Sequence, residues 1–283
     1  MFLTICQKMG RRVYSLIGPG RATKLAASPF GQWLGNRVAP KGEAVYSCDF
    51  GIKLKMSAED ARGSGLVYMR QLCPLETDVV RRYVKEGDTL FQVGCYKDGW
   101  FALVAAPIVG ENGKIVCFEP IPEYADALLE NVALNHFRNI RVEKMAIADK
   151  SGCVEFSINT YCSSMFHTER ANTIQVQTQS LDEYVRQEGI AKIDFLIVDV
   201  EGAELLLLQG GKSIIRDTVH YAIIEVIDAN LKQAGTSAQE VIGLMQEMGF
   251  TAYVFSRHGL VPWAPGQPSE TFNMFFSKTP LRV

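Results

Sequence analysis

The sequence predicts an α/β protein: a doubly wound, mostly parallel sheet, closed by a terminal antiparallel strand pair and preceded by a small N-terminal cap. Three observations predict it. From Asp88 onward, short apolar runs alternate with helical patterns, the order that builds parallel sheets through right-handed crossovers. A glycine-rich loop, Gly94-Cys95-Tyr96-Lys97-Asp98-Gly99, follows the first such run. Three runs also end on a carboxylate, most plainly Phe195-Leu196-Ile197-Val198 before Asp199, with Glu201, Gly202 and Glu204 just behind it. Open α/β sheets bind their ligands at the carboxyl ends of the strands. A lone acid there would be explained by a turn, or by the first turn of a helix, where the macrodipole favours negative charge. Repetition along the chain weighs against that explanation.

Residues 1–75 form the expected cap and residues 76–283 the expected main domain. The first 45 residues read as short helices broken by Gly18-Pro19-Gly20 and Pro29-Phe30-Gly31. Alternation over Val45, Cys48, Phe50, Ile52, Leu54 and Met56 predicts a strand or hairpin. Leu75–Val84 reads as a helix that Gly87 ends. Thr89–Val93 is the first buried strand, and Trp100–Val109 an apolar helix that Pro107 should end or kink. Lys114–Phe118 is the second strand, ending at Glu119-Pro120. The helix over Tyr124–Asn135 is expected to turn Leu128, Leu129, Val132 and Leu134 inward. Ile140–Met145 is the third strand, and Asp149 follows it. Val154–Ile158 and Thr173–Thr178 pair as an inserted hairpin around a polar loop holding Ser163, Ser164 and His167. Then come a short helix (Leu181–Gln187), the strand Phe195–Val198, the strand Tyr221–Ile227 carrying Glu225, and a helix over Gln239–Met248. Tyr253–Phe255 and Thr271–Phe276 supply the antiparallel pair.

Composition excludes several classes of function. A net charge of −2 gives no reason to expect a nucleic-acid partner. The charge is uneven, because Lys8, Arg11, Arg12, Arg21, Lys24, Arg37 and Lys41 all precede the first acid, Glu43. Such a leader reads as a solvated helix packed on the domain, with peripheral contact to an anionic membrane surface as the alternative. The seven cysteines are scattered without a CxxC pair and the four histidines show no HxxH spacing, so reduced thiols and no metal site are expected. No apolar stretch approaches the roughly 20 residues of a membrane span, and a cytoplasmic location is the resulting expectation.

The candidate site combines three elements. Gly94 and Gly99 let backbone approach a ligand closely. Glu119 lies where such sheets place an acid to accept from ribose hydroxyls. Asp149 would accept from an adenine amino group. Together they describe a pocket for an adenosine-bearing cofactor. A dinucleotide would need G-x-G-x-x-G over its pyrophosphate, and the loop lacks that spacing. Gly211-Lys212-Ser213 lacks the upstream glycine of a P-loop. A cofactor without phosphate remains, and S-adenosyl-L-methionine (SAM) fits.

Residues from about Glu76 to Phe276 resemble the FkbM family of SAM-dependent methyltransferases. The resemblance rests on Phe91-Gln92-Val93-Gly94, Phe118-Glu119-Pro120, Ala146-Ile147-Ala148-Asp149-Lys150-Ser151-Gly152, Ser163-Ser164, Val198-Asp199-Val200-Glu201-Gly202-Ala203-Glu204, Ile224-Glu225, Asn273 and Phe275. It implies a Rossmann-like methyltransferase sheet, with Gly94 and Glu119 contacting SAM and Asp199 and Glu201 lining the reaction cleft. The implied reaction is O-methylation of a sugar or another small hydroxylated acceptor. Asp199 or Glu201 would serve as base or orienting group, with His167 as the runner-up. The family pattern has Asp at the position of Gln92 and a loop one residue shorter. A neutral Gln92 would weaken a charge-assisted contact to the cofactor's amino acid end, since such contacts are about twice as strong as neutral ones. Asp98 would compensate from the longer loop. The alternative is a non-catalytic relative that has lost SAM and serves as a binding or scaffold protein.

Overall fold

The computed structural model describes residues 28, 33, 42–158, 172–266 and 272–281. Most of the basic leader, and the loop with Ser163, Ser164 and His167, lie outside the described residues. An N-terminal hairpin pairs β1 (Glu43–Ser47) with β2 (Lys53–Ser57). Helices α1 (Ala58–Gly63) and α2 (Leu66–Met69) lead to α3 (Pro74–Tyr83). The main sheet starts with β3 (Thr89–Val93), α4 (Trp100–Val109), β4 (Lys114–Phe118), α5 (Pro122–Leu134) and β5 (Ile140–Glu143). A side sheet comes next, made of β6 (Ala146–Ala148), β7 (Gly152–Ile158) and β8 (Asn172–Ser180). The chain returns through α6 (Leu181–Gln187) to β9 (Phe195–Val198), then α7 (Glu204–Gly210), α8 (Lys212–Thr218) and β10 (Tyr221–Glu225). It finishes with α9 (Asp228–Gln233), α10 (Ala238–Glu247), β11 (Thr251–Ser256), β12 (Gly259–Pro262) and β13 (Asn273–Ser277).

The eight-stranded sheet runs β12-β11-β13-β10-β9-β3-β4-β5. Neighbours from β10 to β5 are parallel, while β13 is antiparallel to both β10 and β11. The doubly wound sheet with its antiparallel end is therefore as expected, with β12 an added edge strand. Burial on both faces explains the continuous apolar runs: Phe195, Leu196, Ile197 and Val198 are each at most 2% exposed. Alternation divides them. Leu90, Cys117, Ile197, Ile223 and Phe275 pack toward α3, α4 and α5, and Phe91, Val116, Leu196, Ala222 and Phe276 toward α6, α7, α8 and α10. Burying each large apolar side chain contributes roughly 1.5–3 kcal/mol. The hairpin's Ile52, Leu54 and Met56 share the first of these cores with Trp100 and Leu128, so cap and sheet enclose a single apolar interior.

Three local expectations are corrected. The third strand breaks after Glu143, and Ala146–Ala148 joins the side sheet beside β8. The α5 stripe is narrower than expected: Leu128 and Val132 are buried, but Leu129 is 42% exposed. Helix α4 runs through Pro107 to Val109; only the last turn follows the proline, so little helix is left to break. Among the described residues, no helix is long and apolar enough to cross a membrane.

Candidate active site

Strand register assembles the site. Val93 lies opposite both Phe118 and Val198, and Ile224 opposite Val198. The next residues, Gly94, Glu119, Asp199 and Glu225, therefore fall level along the carboxyl edge of four adjacent parallel strands. Cys117, Ile197 and Ile223 face α3–α5, so period-2 alternation sends Glu119, Asp199 and Glu225 to that same face. Gly94 is required by packing. A Cβ there would lie 1.7 Å from the Asp199 carbonyl oxygen, and its φ is +79°, in the region where side chains clash with their own backbone. At Gly99, with φ +54°, a Cβ would fall 2.2 Å from Leu128 Cδ1. Both glycines thus bring the loop close to protein as well as leaving it open to a ligand.

Around β3 and β4 the polar side chains are satisfied by backbone. Glu119, 4% exposed, accepts from Tyr96 N–H at 2.9 Å and from Ile121 N–H at 3.0 Å. Burial pushes its carboxyl up to about 7, with these N–H groups opposing the shift. Cys95 N–H also bonds this carboxylate, and about one of its four acceptor sites is left for a ligand hydroxyl, so the cofactor role expected of Glu119 fits its chemistry. Asp98 accepts from Trp100 N–H at 2.9 Å, and burial raises its carboxyl to about 6. Gln92, 5% exposed, accepts from Ala102 N–H at 2.9 Å. That donor is one of the unpaired N–H groups of the first turn of α4. Gln92 is thus engaged by the first turn of α4. Trp100 is core, donating to Thr77 Oγ1 at 2.7 Å.

Asp149 departs from expectation. Ala146 packs with Ile121 next to Glu119, but β6 then leads away. A Cβ on Gly210 would lie 2.9 Å from Asp149 Cα, which puts exposed Asp149 at the carboxyl end of α7. The break after β5 is the cause, and Asp149 does not join the other site residues.

At β9 and β10 the acids face one another. One oxygen each from Asp199, Glu201 and Glu225 lie within 4.8 Å of one another, a spacing able to hold a metal ion; sequence reasoning considered only histidine and cysteine ligands. Asp199 keeps exposed surface, yet desolvation dominates its shift to about 7, followed by repulsion from Glu201 and Glu204. Glu225, 9% exposed, is also raised by desolvation first and by Asp199 second. Asp199 and Glu225 hydrogen-bond each other, so the pair retains one proton near neutrality. Glu201 has φ +54°, Asn230 Nδ2 donates to its Oε2 at 2.7 Å, and Glu204 Oε1 accepts from Val200 and Gly202 N–H, both at 3.2 Å. A non-glycine residue in that conformation costs about 1–3 kcal/mol and persists where its surroundings over-determine it, often at functional sites.

Sequence reasoning missed residues from α3. Cys73 caps the start of that helix with φ 39° and keeps exposed surface, its thiol pushed up by desolvation and then by Glu76, Asp98, Asp199 and Glu225. Glu76 is 3% exposed and accepts from Asn273 Nδ2 at 3.1 Å, and Asn273 pairs with Glu225 across β13 and β10. Only Glu76's placement in a helix first turn was legible, because its partners are distant in sequence.

Residues 92–252 match the family model described as the methyltransferase FkbM domain. The chain is 23% identical over 160 residues to the 2-O-methyltransferase NoeI of Sinorhizobium fredii, covering 50% of this chain and 65% of NoeI, slightly less than two thirds. It is 27% identical over 176 residues to the hexuronic acid methyltransferase AglP of Haloferax volcanii, covering 61% of this chain and 68% of AglP. A solved FkbM methyltransferase from Methylobacillus flagellatus superimposes with a TM-score of 0.43 at 10% identity, over 87% of this chain and 57% of that one. The family match takes in Gln92, the glycine loop, Glu119, Asp199, Glu201 and Glu225 and exceeds half of the chain, which therefore belongs to the FkbM methyltransferase family.

Proposed function

We propose that the protein is a SAM-dependent O-methyltransferase acting on a hydroxyl of a sugar or a similar small polar acceptor. The observation that carries the reading is the carboxyl edge itself, where backbone-braced Glu119 stands level with Asp199 across Gly94. The acceptor class is supported by relatives named as a 2-O-methyltransferase and a hexuronic acid methyltransferase. Glu119 would hold a ribose hydroxyl through its remaining acceptor site. The bound cofactor would supply an electrophilic methyl group and leave as a neutral thioether. Asp199 is assigned as the base: the acceptor hydroxyl loses its proton to this carboxylate as the new carbon–oxygen bond forms. A carboxyl raised toward neutral pH suits that task, since proton transfer works best when the catalytic pKa lies near the working pH. Glu201, fixed by Asn230, orients the acceptor. A cytoplasmic location belongs to the same proposal.

Calorimetric titration with SAM and S-adenosylhomocysteine tests the reading, beside Glu119→Ala. Micromolar binding that the variant loses is the expected result. Absence of binding at millimolar ligand, in folded protein, would overturn it in favour of a scaffold that has retired its cofactor.

A further inference from the structure

The longer glycine loop needs an anchor, and one buried amide supplies it. Asn131 on α5 is 1% exposed. Its Oδ1 accepts from Lys55 N–H at 2.7 Å, and its Nδ2 donates to the carbonyls of Lys55 at 3.2 Å and Lys97 at 3.1 Å. Lys55 lies on β2, while Lys97 lies midway along the loop from Gly94 to Gly99. One turn later, Asn135 makes the corresponding pair of bonds to Lys53 N–H at 2.8 Å and to its carbonyl. The Asn135 side chain bonds Lys53 and the Asn131 carbonyl, not the glycine loop. Two neighbouring residues therefore do the same work on the hairpin, and one of them also holds the loop.

We propose that Asn131 is a positioning residue of the cofactor loop, fixing Lys97 so that Tyr96 and Asp98 on either side are held in their binding conformation. This deepens the SAM reading and rests on it for its functional consequence. The loop needs such a hold because Gly94, Tyr96 and Gly99 all have positive φ, +79°, +52° and +54°. Only two of the three are glycines, so Tyr96 adopts a conformation it would leave if released. At Tyr96 the backbone N–H is the donor to Glu119. Releasing the Lys97 carbonyl therefore loosens the brace on the carboxylate assigned to the ribose. The second tether is looser: Lys97 Nζ lies 3.9 Å from Asp60 and over the rings of Tyr96 and Tyr124.

The matched residue makes the test clean. Asn131→Asp keeps the acceptor for Lys55 N–H but replaces the donor to the Lys97 and Lys55 carbonyls with an acceptor. Asn131→Ala removes both, and Asn135→Ala removes the hairpin bonds together with its bond to the Asn131 carbonyl, leaving the bond to Lys97 in place. Amide hydrogen exchange over residues 94–99 in the unliganded protein is measured first, then S-adenosylhomocysteine affinity. The expected result is faster loop exchange in both Asn131 variants and about tenfold weaker binding, a loss comparable to one buried hydrogen bond. Asn135→Ala should stay within about twofold of the native protein. Equal loop exchange in folded Asn131→Asp and Asn135→Ala overturns the proposal, whatever the ligand result. If the exchange difference is present but the native protein binds no ligand, the SAM reading is overturned instead and Asn131 remains the loop's anchor.

Discussion

The two halves of the sheet's carboxyl edge use the same residue types to opposite ends. At β3 and β4, Glu119, Asp98 and Gln92 accept from backbone N–H groups. At β9 and β10, Asp199 and Glu225 have each other as partners and repel Glu201 and Glu204. Burial raises the carboxyls on both sides, but N–H donors oppose the rise at Glu119 and Asp98, and in the second half at Glu204 and not at Asp199 or Glu225. A carboxylate held by fixed dipoles is a rigid acceptor, whereas one facing another carboxylate is a proton store. The first half is built to hold and the second to titrate.

The largest effect should come where the halves touch. Gly94→Ala places a methyl group against the Asp199 carbonyl and forces a positive φ; a loss of about 4 kcal/mol is expected, read by urea unfolding. A mild loss would mean that β3 and β9 can part at this edge, and that the two halves are less rigidly joined than their register implies.

Asp199→Asn should separate function from stability. Methyl transfer from labelled SAM to glycan acceptors should fall about a hundredfold or more, while the thermal midpoint holds or rises because a repelling charge is gone. Retained activity would move the base to Glu201.

Titration sharpens the contrast further. Glu225 and Glu119 have carboxyls raised above an ordinary value of 4.5, to about 10 and about 7. The folded chain holds these protons more tightly than the unfolded one, so their stabilisation is fully present below about pH 4.5 and fades as pH rises through the folded values. Stability in urea should therefore fall from about pH 5 to about pH 8. In Glu225→Gln that fall should flatten, with a gain of about 1 kcal/mol at the upper end. An unchanged slope would assign the bound proton to the other raised carboxyls, Glu119, Asp199 and Asp98.

The smallest effect tests the braced half. Asp98→Asn retains an oxygen for Trp100 N–H, so stability should change by less than about 0.5 kcal/mol. A large change would show that charge, and not hydrogen bonding, matters at the start of α4.

Legibility in the sequence tracked the range of the interactions. Asp199 and Glu119 could be read because a buried strand announces its own end, and the residue after that end must lie at the sheet's edge. Thr89–Val93, Lys114–Phe118, Leu181–Gln187 and Phe195–Val198 were recoverable to the residue for the same local reason. Gln92 was not, since its partner is an N–H presented only once α4 docks. Asp149 was misplaced because a strand and its continuation in another sheet look alike along the chain. Cys73 and Glu76 reach the acids through packing between segments more than a hundred residues apart, which no local pattern records.

The amide ladder on α5 carries a further consequence, for how the N-terminal hairpin tolerates change in length. Asn131 and Asn135 are separated by one helical turn, about 6 Å of rise. Lys53 and Lys55 are separated by one pleat pair, about 6.6 Å. Helix and strand are commensurate over that interval, so side-chain amides take the place of a third strand along β2. Shifting the register of β2 by a single inserted residue would turn Leu54 and Met56 out of the core and present the wrong backbone groups to both asparagines. Inserting two would restore phase on both counts. Length variation in this hairpin should therefore be accepted in even steps and rejected in odd ones.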